Sequence, residues 1–412
     1  MTKNIKVAAG KKLETVNRNV KEQARQLKGD VRVMLRKLEA NTTAARGKRK
    51  VEETKSKPVA FYIGIDLGDK KSQYCFLDGH GEIMVEGSLA NTAVGFEAYF
   101  SQIGRSRIAL EVGTHSPWVS ALLEELGHEV HVANPRKMES IHKNKRKNDR
   151  IDAQILARCV RTDIKMLHPI QHRGLEARQD LVMLRARDAV VSARTKLVNS
   201  VRGLVKSVGG RLPGCSTHSF HKTDVEKIPE GIRAALQPML EEIESLTKRI
   251  DEYDKRVSAL ARKKYPETEL LQQVKGVGDL TSLTYVLTLE NPERFEKSRD
   301  VGPYVGLVPK QYDSGDSSPQ LRITKTGDRM LRRLLVGSAQ YILGPFGEDC
   351  DLRRHGLKLA ARGGKNAKKR AVVAIARKLG VLLHSLWRSG EVYEPLRQAA
   401  LEQEALPEAV NK

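Results

Sequence analysis

FYIGIDLGDKKSQYCFLDGHGEIMVEGSLA, residues 61–90, decides how the rest of the chain is read. FYIGIDLG alternates apolar side chains and stops at a glycine, the pattern of a half-buried strand running into a turn. SQYCFLD and EIMVEGSLA follow, separated by DGHG, whose Asp-Gly pair signals a tight hairpin. Beyond them the spacing predicts a short helix over 95–103, a strand in RIALEV (107–112), a helix over 117–126 and a strand in HEVHVAN (128–134). Three strands, a helix, a strand, a helix and a strand over about 110 residues predict a mixed α/β sheet.

That order places carboxylates at telling points. Asp66 closes the first strand, in GIDLG, and Glu111 closes the fourth, in ALEVG. In a ribonuclease H-like sheet the first and fourth strands are neighbours, so the two side chains are expected to converge. Further on, KNDRIDAQILA (147–157) sets Asp149 and Asp152 three residues apart. On a helix that spacing points both the same way. An ordinary helix start, with Asp149 as N-cap, is one account of the pair. A cation between them is the other, supplied by Arg146, Lys147 and Arg150 or by a divalent metal. Four carboxylates at one edge repel unless hard divalent ions take their oxygens as ligands. Two Mg²⁺ ions roughly 4 Å apart stabilise both the attacking and the leaving oxygen of a phosphodiester displacement.

The composition agrees with a polyanionic partner. The 412 residues hold 73 Lys and Arg against 50 Asp and Glu, a net charge of +23. An excess of this size favours nucleic acid. No apolar run approaches the roughly 20 residues of a spanning helix, and the N-terminus lacks a signal-peptide core, so no membrane association is expected. Cys75, Cys159, Cys215 and Cys350 form no CxxC pair. That argues against a zinc site or disulfide framework and fits a reducing cytosol.

Composition also divides the chain. Residues 1–57 carry 17 Lys and Arg against 6 Asp and Glu and read as a basic extension able to track phosphates. Residues 58–172 hold the sheet. Residues 173–265 read as a helical arm, an antiparallel hairpin broken at VGGRLPGCSTHS (208–219). Its second half repeats apolar residues in heptads at Met239, Ile243, Leu246, Ile250, Tyr253, Val257 and Leu260, which predicts a coiled coil. Residues 266–390 form a mainly helical C-terminal domain, and 391–412 a tail. In that domain LQQVKGVGDLTSLTYVLTL resembles a helix-hairpin-helix, whose turn at Gly276 and Gly278 offers backbone N–H groups to a phosphate.

GIDLG, ALEVG and KNDRIDAQILA, followed in order by GLVPKQYDSG, RITKTGD and LRRLL, resemble the DEDD transposases of the IS110 insertion-sequence family, also known as bridge-RNA-guided recombinases. The resemblance covers residues 60–390. It implies a RuvC-like domain with the tetrad Asp66, Glu111, Asp149 and Asp152, a coiled coil, and a C-terminal domain with a nucleophilic serine, Ser314. The same segment offers Ser317 and Ser318 as alternatives. Arg322, Lys325 and Arg329 are candidate phosphate clamps. The resemblance further implies donor and target DNA, a noncoding guide RNA, assembly into dimers to tetramers, and a prokaryotic, nucleoid-associated protein of the cytoplasm. It leaves the basic extension unassigned.

Three other readings fit less of the chain. GIDLG is also the first phosphate loop of sugar kinases and actin-like ATPases, but neither a second glycine-rich phosphate motif nor an adenosine loop follows. A Holliday-junction resolvase-type nuclease would use the tetrad without the serine. A non-catalytic nucleic-acid-binding protein would need neither.

Overall fold

The computed structural model describes residues 59–138, 148–222, 227–315, 317–319 and 321–397, together with Gly29. The basic extension, the segment holding Arg146 and Lys147, and the end of the tail lie outside the described residues. The chain divides between His172 and Arg173 into two units.

The first unit is built on a five-stranded sheet: β1 (Tyr62–Asp66), β2 (Lys71–Leu77), β3 (Ile83–Ala90), β4 (Arg107–Glu111) and β5 (Glu129–Ala133), in the order β3-β2-β1-β4-β5. The first three strands are antiparallel neighbours, and β4 runs parallel to both β1 and β5. The adjacency of β1 and β4 expected of a ribonuclease H-like sheet is therefore met. The hairpin at 78–82 is closed by Asp78 Oδ1, which accepts from the N–H groups of His80 and Glu82 at 2.9 Å.

Alternation along the strands creates two faces. Ile63, Ile65, Tyr74, Phe76, Ile108 and Leu110 join one core with Phe96 and Phe100 of α1 (Ala93–Phe100) and Val119 and Leu123 of α2 (Ser116–Glu125). The opposite face carries Tyr62, Gly64 and Asp66 of β1 and Ala109 and Glu111 of β4. Helix α3 (Asp149–Thr162) covers it through Ala153, Leu156, Ala157, Cys159 and Val160.

The second unit begins with α4 (Leu175–Ser207) and α5 (Glu230–Lys264). Their contacts run in opposite order: Asp180 meets Lys264, Arg187 meets Asp254, and Arg194 donates to Thr247 Oγ1 at 3.2 Å. The pair is thus an antiparallel hairpin. The heptad expectation is right at Ile243, Ile250 and Val257, which are buried. It is one residue early at the alternate positions. Leu240, Thr247 and Ala261 are buried, whereas Met239, Leu246, Tyr253 and Leu260 are half-buried. The stripe turns because a polar layer, Arg194 with Thr247 and Arg187 with Asp254, occupies its centre.

The remaining core gathers α6 (Glu267–Gln272), α7 (Asp279–Leu289), α8 (Val301–Tyr304), α9 (Arg329–Leu343), α10 (Asp351–Ala361) and α11 (Ala367–Ser389). The fully buried Tyr285 of α7 donates its hydroxyl to Gly380 O of α11 at 2.6 Å.

Candidate functional sites: a carboxylate edge and a serine arm

Asp66 and Glu111 come together through strand register. Ile65 lies opposite Leu110 in the parallel β1–β4 pair, and Asp66 and Glu111 are the next residue of each strand, on the face under α3. The direction of α3 follows from its ends. Arg161, in its last turn, donates to Gly79 O of the β2–β3 hairpin at 3.2 Å. That hairpin adjoins the start of β1, because Leu77 pairs with Tyr62. The first turn of α3, with Asp149 and Asp152, is therefore directed toward the end of β1 that carries Asp66.

Gly64 makes this placement possible. A Cβ there would stand 2.0 Å from Ala153 O and 2.4 Å from Ala157 N. The helix rests directly on the strand, one turn beyond Asp152. Within that turn Asp152 is 5 % exposed and Asp149 is exposed. The unpaired N–H groups of a helix start favour carboxylates there.

Two expectations for this segment are corrected. The N-cap of α3 is Asn148, whose side chain accepts from Arg150 N at 3.1 Å, and Asp149 is the first helical residue. Asn caps as well as Asp, and its β-region backbone leaves Asp149 inside the helix. Nor does Arg150 sit between the aspartates. Its Nε donates to Glu86 Oε2 of β3 at 2.9 Å, and Gln154 donates to the same carboxylate. Glu86 raises the Arg150 guanidinium above its ordinary value. Arg150 is thus paired with a carboxylate of β3 while its side chain stays largely exposed.

Four carboxylates are the right donors for a hard divalent ion, and their placement along one edge fits that chemistry. Among the described residues, however, no three His, Cys, Asp or Glu side chains stand close enough together to hold an ion. They share an edge without being gathered.

The loops leaving β1 and β4 bring further residues to this edge. His115 Nε2 lies 3.8 Å from Asp69 Oδ1, linking the two loops, while Trp118 Nε1 donates to His115 Nδ1 at 3.2 Å. That bond makes Nδ1 the acceptor and leaves Nε2 to carry the proton toward Asp69. Ser116 Oγ lies 3.0 Å from His172 Nε2. Sequence reasoning passed over His115 and His172. The available signal for His115 was its position just past a carboxylate-bearing strand, where sites of open α/β sheets collect.

In the second unit, residues 306–325 form a narrow arm. Lys310 N donates to Arg322 O and Thr324 N to Val308 O, each at 2.9 Å. At its tip Ser314 and Ser317 exchange two backbone hydrogen bonds of 3.1 Å around Gly315, whose φ is +55°. Ser314, Ser317 and Ser318 are all exposed. Arg322 and Lys325 are exposed on the returning segment, and Arg329 opens α9 with Asp328 as its N-cap. Unanticipated is Arg332, whose NH1 donates to Val305 O at 3.0 Å and Thr326 O at 2.6 Å, closing the base of the arm.

The helix–glycine–helix element is present as α6, a turn and α7. Its two glycines differ. A Cβ at Gly276 would stand 2.8 Å from the Tyr341 ring and 3.3 Å from Ser338 O, so that glycine is set by packing against α9. Gly278 is exposed and directly precedes α7.

A sheet of this order with paired carboxylates at one edge leaves several classes of enzyme open. Comparison with known proteins then narrows the class. A family of DEDD transposases matches residues 63–209, and the family described as "Transposase IS116/IS110/IS902 family" matches residues 268–346. The chain is 26 % identical over 343 residues to the transposase for insertion sequence element IS1111A of Coxiella burnetii, covering 80 % of this chain and 90 % of that protein. It is 26 % identical over 341 residues to a probable family 20 transposase of Pseudomonas aeruginosa, covering 81 % and 98 %. It is 26 % identical over 286 residues to the transposase for IS1328 of Yersinia enterocolitica, covering 69 % and 84 %. The chain belongs to the IS110 family of insertion-sequence transposases. No helix among the described residues is long and apolar enough to cross a membrane.

Proposed function

We propose that the protein cuts and rejoins the DNA of an insertion sequence, with Asp66, Glu111, Asp149 and Asp152 as its metal-binding carboxylates and Ser314 as its nucleophile. The observation that carries the reading is the register of β1 and β4, which ends Asp66 and Glu111 side by side on the face covered by α3. The four carboxylates would hold divalent cations, Mg²⁺ in the cell, which when bound supply charge stabilisation at the phosphodiester oxygens.

In the serine step, Ser314 Oγ bonds to the scissile phosphorus as the bond from phosphorus to one deoxyribose oxygen breaks. The serine proton ends on the departing oxygen, leaving a strand-end hydroxyl and a DNA–phosphoserine ester. Attack by another strand's hydroxyl reverses the exchange, so the energy of the original bond is retained. A serine hydroxyl is a weak nucleophile when free, so the step needs a base or a bound cation to activate Ser314. Its exposed place on a narrow arm supports the assignment, since the attacking oxygen must reach a duplex backbone. On the family resemblance we extend the reading to donor and target DNA, a structured noncoding guide RNA, a homo-oligomer of two to four copies, and action in the cytoplasm.

Denaturation of an ongoing reaction tests the serine. Protein should be trapped covalently on a DNA end with the native sequence and with Ser317→Ala, and no adduct should form with Ser314→Ala. EDTA or Asp66→Ala should abolish the adduct with the fold unchanged by circular dichroism. An adduct that survives Ser314→Ala would refute the residue. Strand cleavage without any adduct would replace the recombinase with a nuclease using water.

A further inference from the structure

The second unit contains a groove of about 1560 Å³, separate from the serine at the arm's tip. Small-molecule sites occupy roughly 300–1,000 Å³, so this volume suits a segment of polymer better than a compact ligand. It is bounded by α10, α11, the returning segment of the arm and residues 392–397. Nine Lys and Arg side chains line it against two carboxylates, Asp351 and Glu394. That ratio favours a polyanion.

The pattern along α11 narrows the choice further. Lys369 and Arg370 line the groove, then Val373 and Ala374, then Arg377 and Lys378, then Val381 and Leu382. Cationic and apolar turns alternate, with the cationic turns roughly 12 Å apart at 1.5 Å rise per residue. Gly302 backs Arg377, whose Nε would lie 3.1 Å from a Cβ there. The apolar turns continue into Leu359 of α10 and the half-buried Tyr393. A duplex keeps its base faces stacked inside, so it offers such a surface phosphates but no base face to rest on. A single strand offers both, which is how apolar and aromatic platforms between rows of cations hold unpaired nucleic acid. His355, on the groove wall, is held below its ordinary imidazole value by burial and then by Lys378, Arg362 and Lys358.

We propose that this groove seats a single strand of DNA, its phosphates on the cationic turns of α11 and its bases on the apolar turns between them. The choice of DNA over RNA rests on the proposed function, because Arg322 and Lys325 belong both to the groove and to the arm that carries Ser314. A strand leaving the groove along the arm would run toward that serine.

The test measures binding by the full-length protein, without cleavage, so a wrong serine assignment would not affect it. Fluorescence anisotropy would follow a twenty-residue oligo-dT, with oligo-U and a duplex of equal length as competitors. Lys369→Glu combined with Arg377→Glu should weaken oligo-dT binding about tenfold or more and flatten its salt dependence, each lost phosphate contact removing roughly 0.7 from the log–log slope. Duplex affinity should change far less. Unchanged oligo-dT affinity, or equal losses for single strand and duplex, would overturn the groove. Stronger binding of oligo-U, with the loss confined to it, would overturn DNA as the occupant. Photocrosslinking the unmodified protein to oligonucleotide carrying 5-bromodeoxyuridine gives a readout free of any folding defect. Crosslinks should map to peptides spanning 359–393, and crosslinks found only elsewhere would sink the proposal.

Discussion

Gly64 shows how much of the carboxylate edge depends on one missing side chain. Its neighbours Ile63 and Ile65 are fully buried on the other face, so β1 cannot retreat from α3. A methyl group at 64 would meet backbone atoms of Ala153 and Ala157, which cannot rotate away. Overpacking typically costs about 1–3 kcal/mol, and backbone obstruction places this site at the upper end. Gly64→Ala should therefore lower the denaturation midpoint of the first unit and reduce DNA cleavage more than it reduces DNA binding, both measurable on one preparation. His128 gives that unit a pH response. Its Nδ1 accepts from Ser106 N, and its Nε2 donates to Phe100 O, each at 3.2 Å, while burial pushes its pKa below the ordinary value. The folded imidazole stays neutral where the unfolded one, with a pKa of about 6.5, takes up a proton. Stability from this group is thus present above that value and is lost as pH falls from there through the lower folded value. Unfolding free energies at pH 7.5 and 5.5 should differ less in His128→Gln than in the native protein.

Among the elements, the α4–α5 hairpin makes the most discriminating test, because its heptad phase differs from expectation. Ile250 is 3 % exposed, whereas Leu246 is only half-buried. Ile250→Ala should cost about 2–5 kcal/mol and Leu246→Ala distinctly less. Equal losses in chemical denaturation would restore the phase read from the apolar residues alone. The discrepancy has a physical source. A period can be counted from hydrophobic residues, but a buried threonine paired with Arg194 does not register as apolar, so the stripe appeared one residue early. The sheet was legible for the opposite reason: β1 to β5 are short alternating runs bounded by turn residues, and Asp66 and Glu111 end their strands as read. The partners of Arg150 were not legible, since Glu86 lies 64 positions away in sequence and meets it only through β3. The same limit concealed the groove on α11, because the arm that helps to enclose it lies far from that helix in sequence.

At the scale of the whole molecule, charge governs encounter with nucleic acid. With +23 on 412 residues, affinity should be dominated by counterion release, and log K should fall steeply with log salt. Removing residues 1–50 takes away part of that charge, so the slope measured with duplex DNA should become shallower while DNA cleavage is unaffected. An unchanged slope would show that the extension does not touch phosphates.

The central position of β1 also has a consequence during synthesis. Its hairpin partner β2 follows within a few residues, but its other edge waits for β4, whose Leu110 pairs with Ile65. A chain emerging from the ribosome at about 5–20 residues per second leaves that edge open for several seconds. An open strand edge is a template for pairing with another nascent chain. The rate of translation between β3 and β4 therefore bears on the yield of active protein, even for codon changes that leave every residue the same.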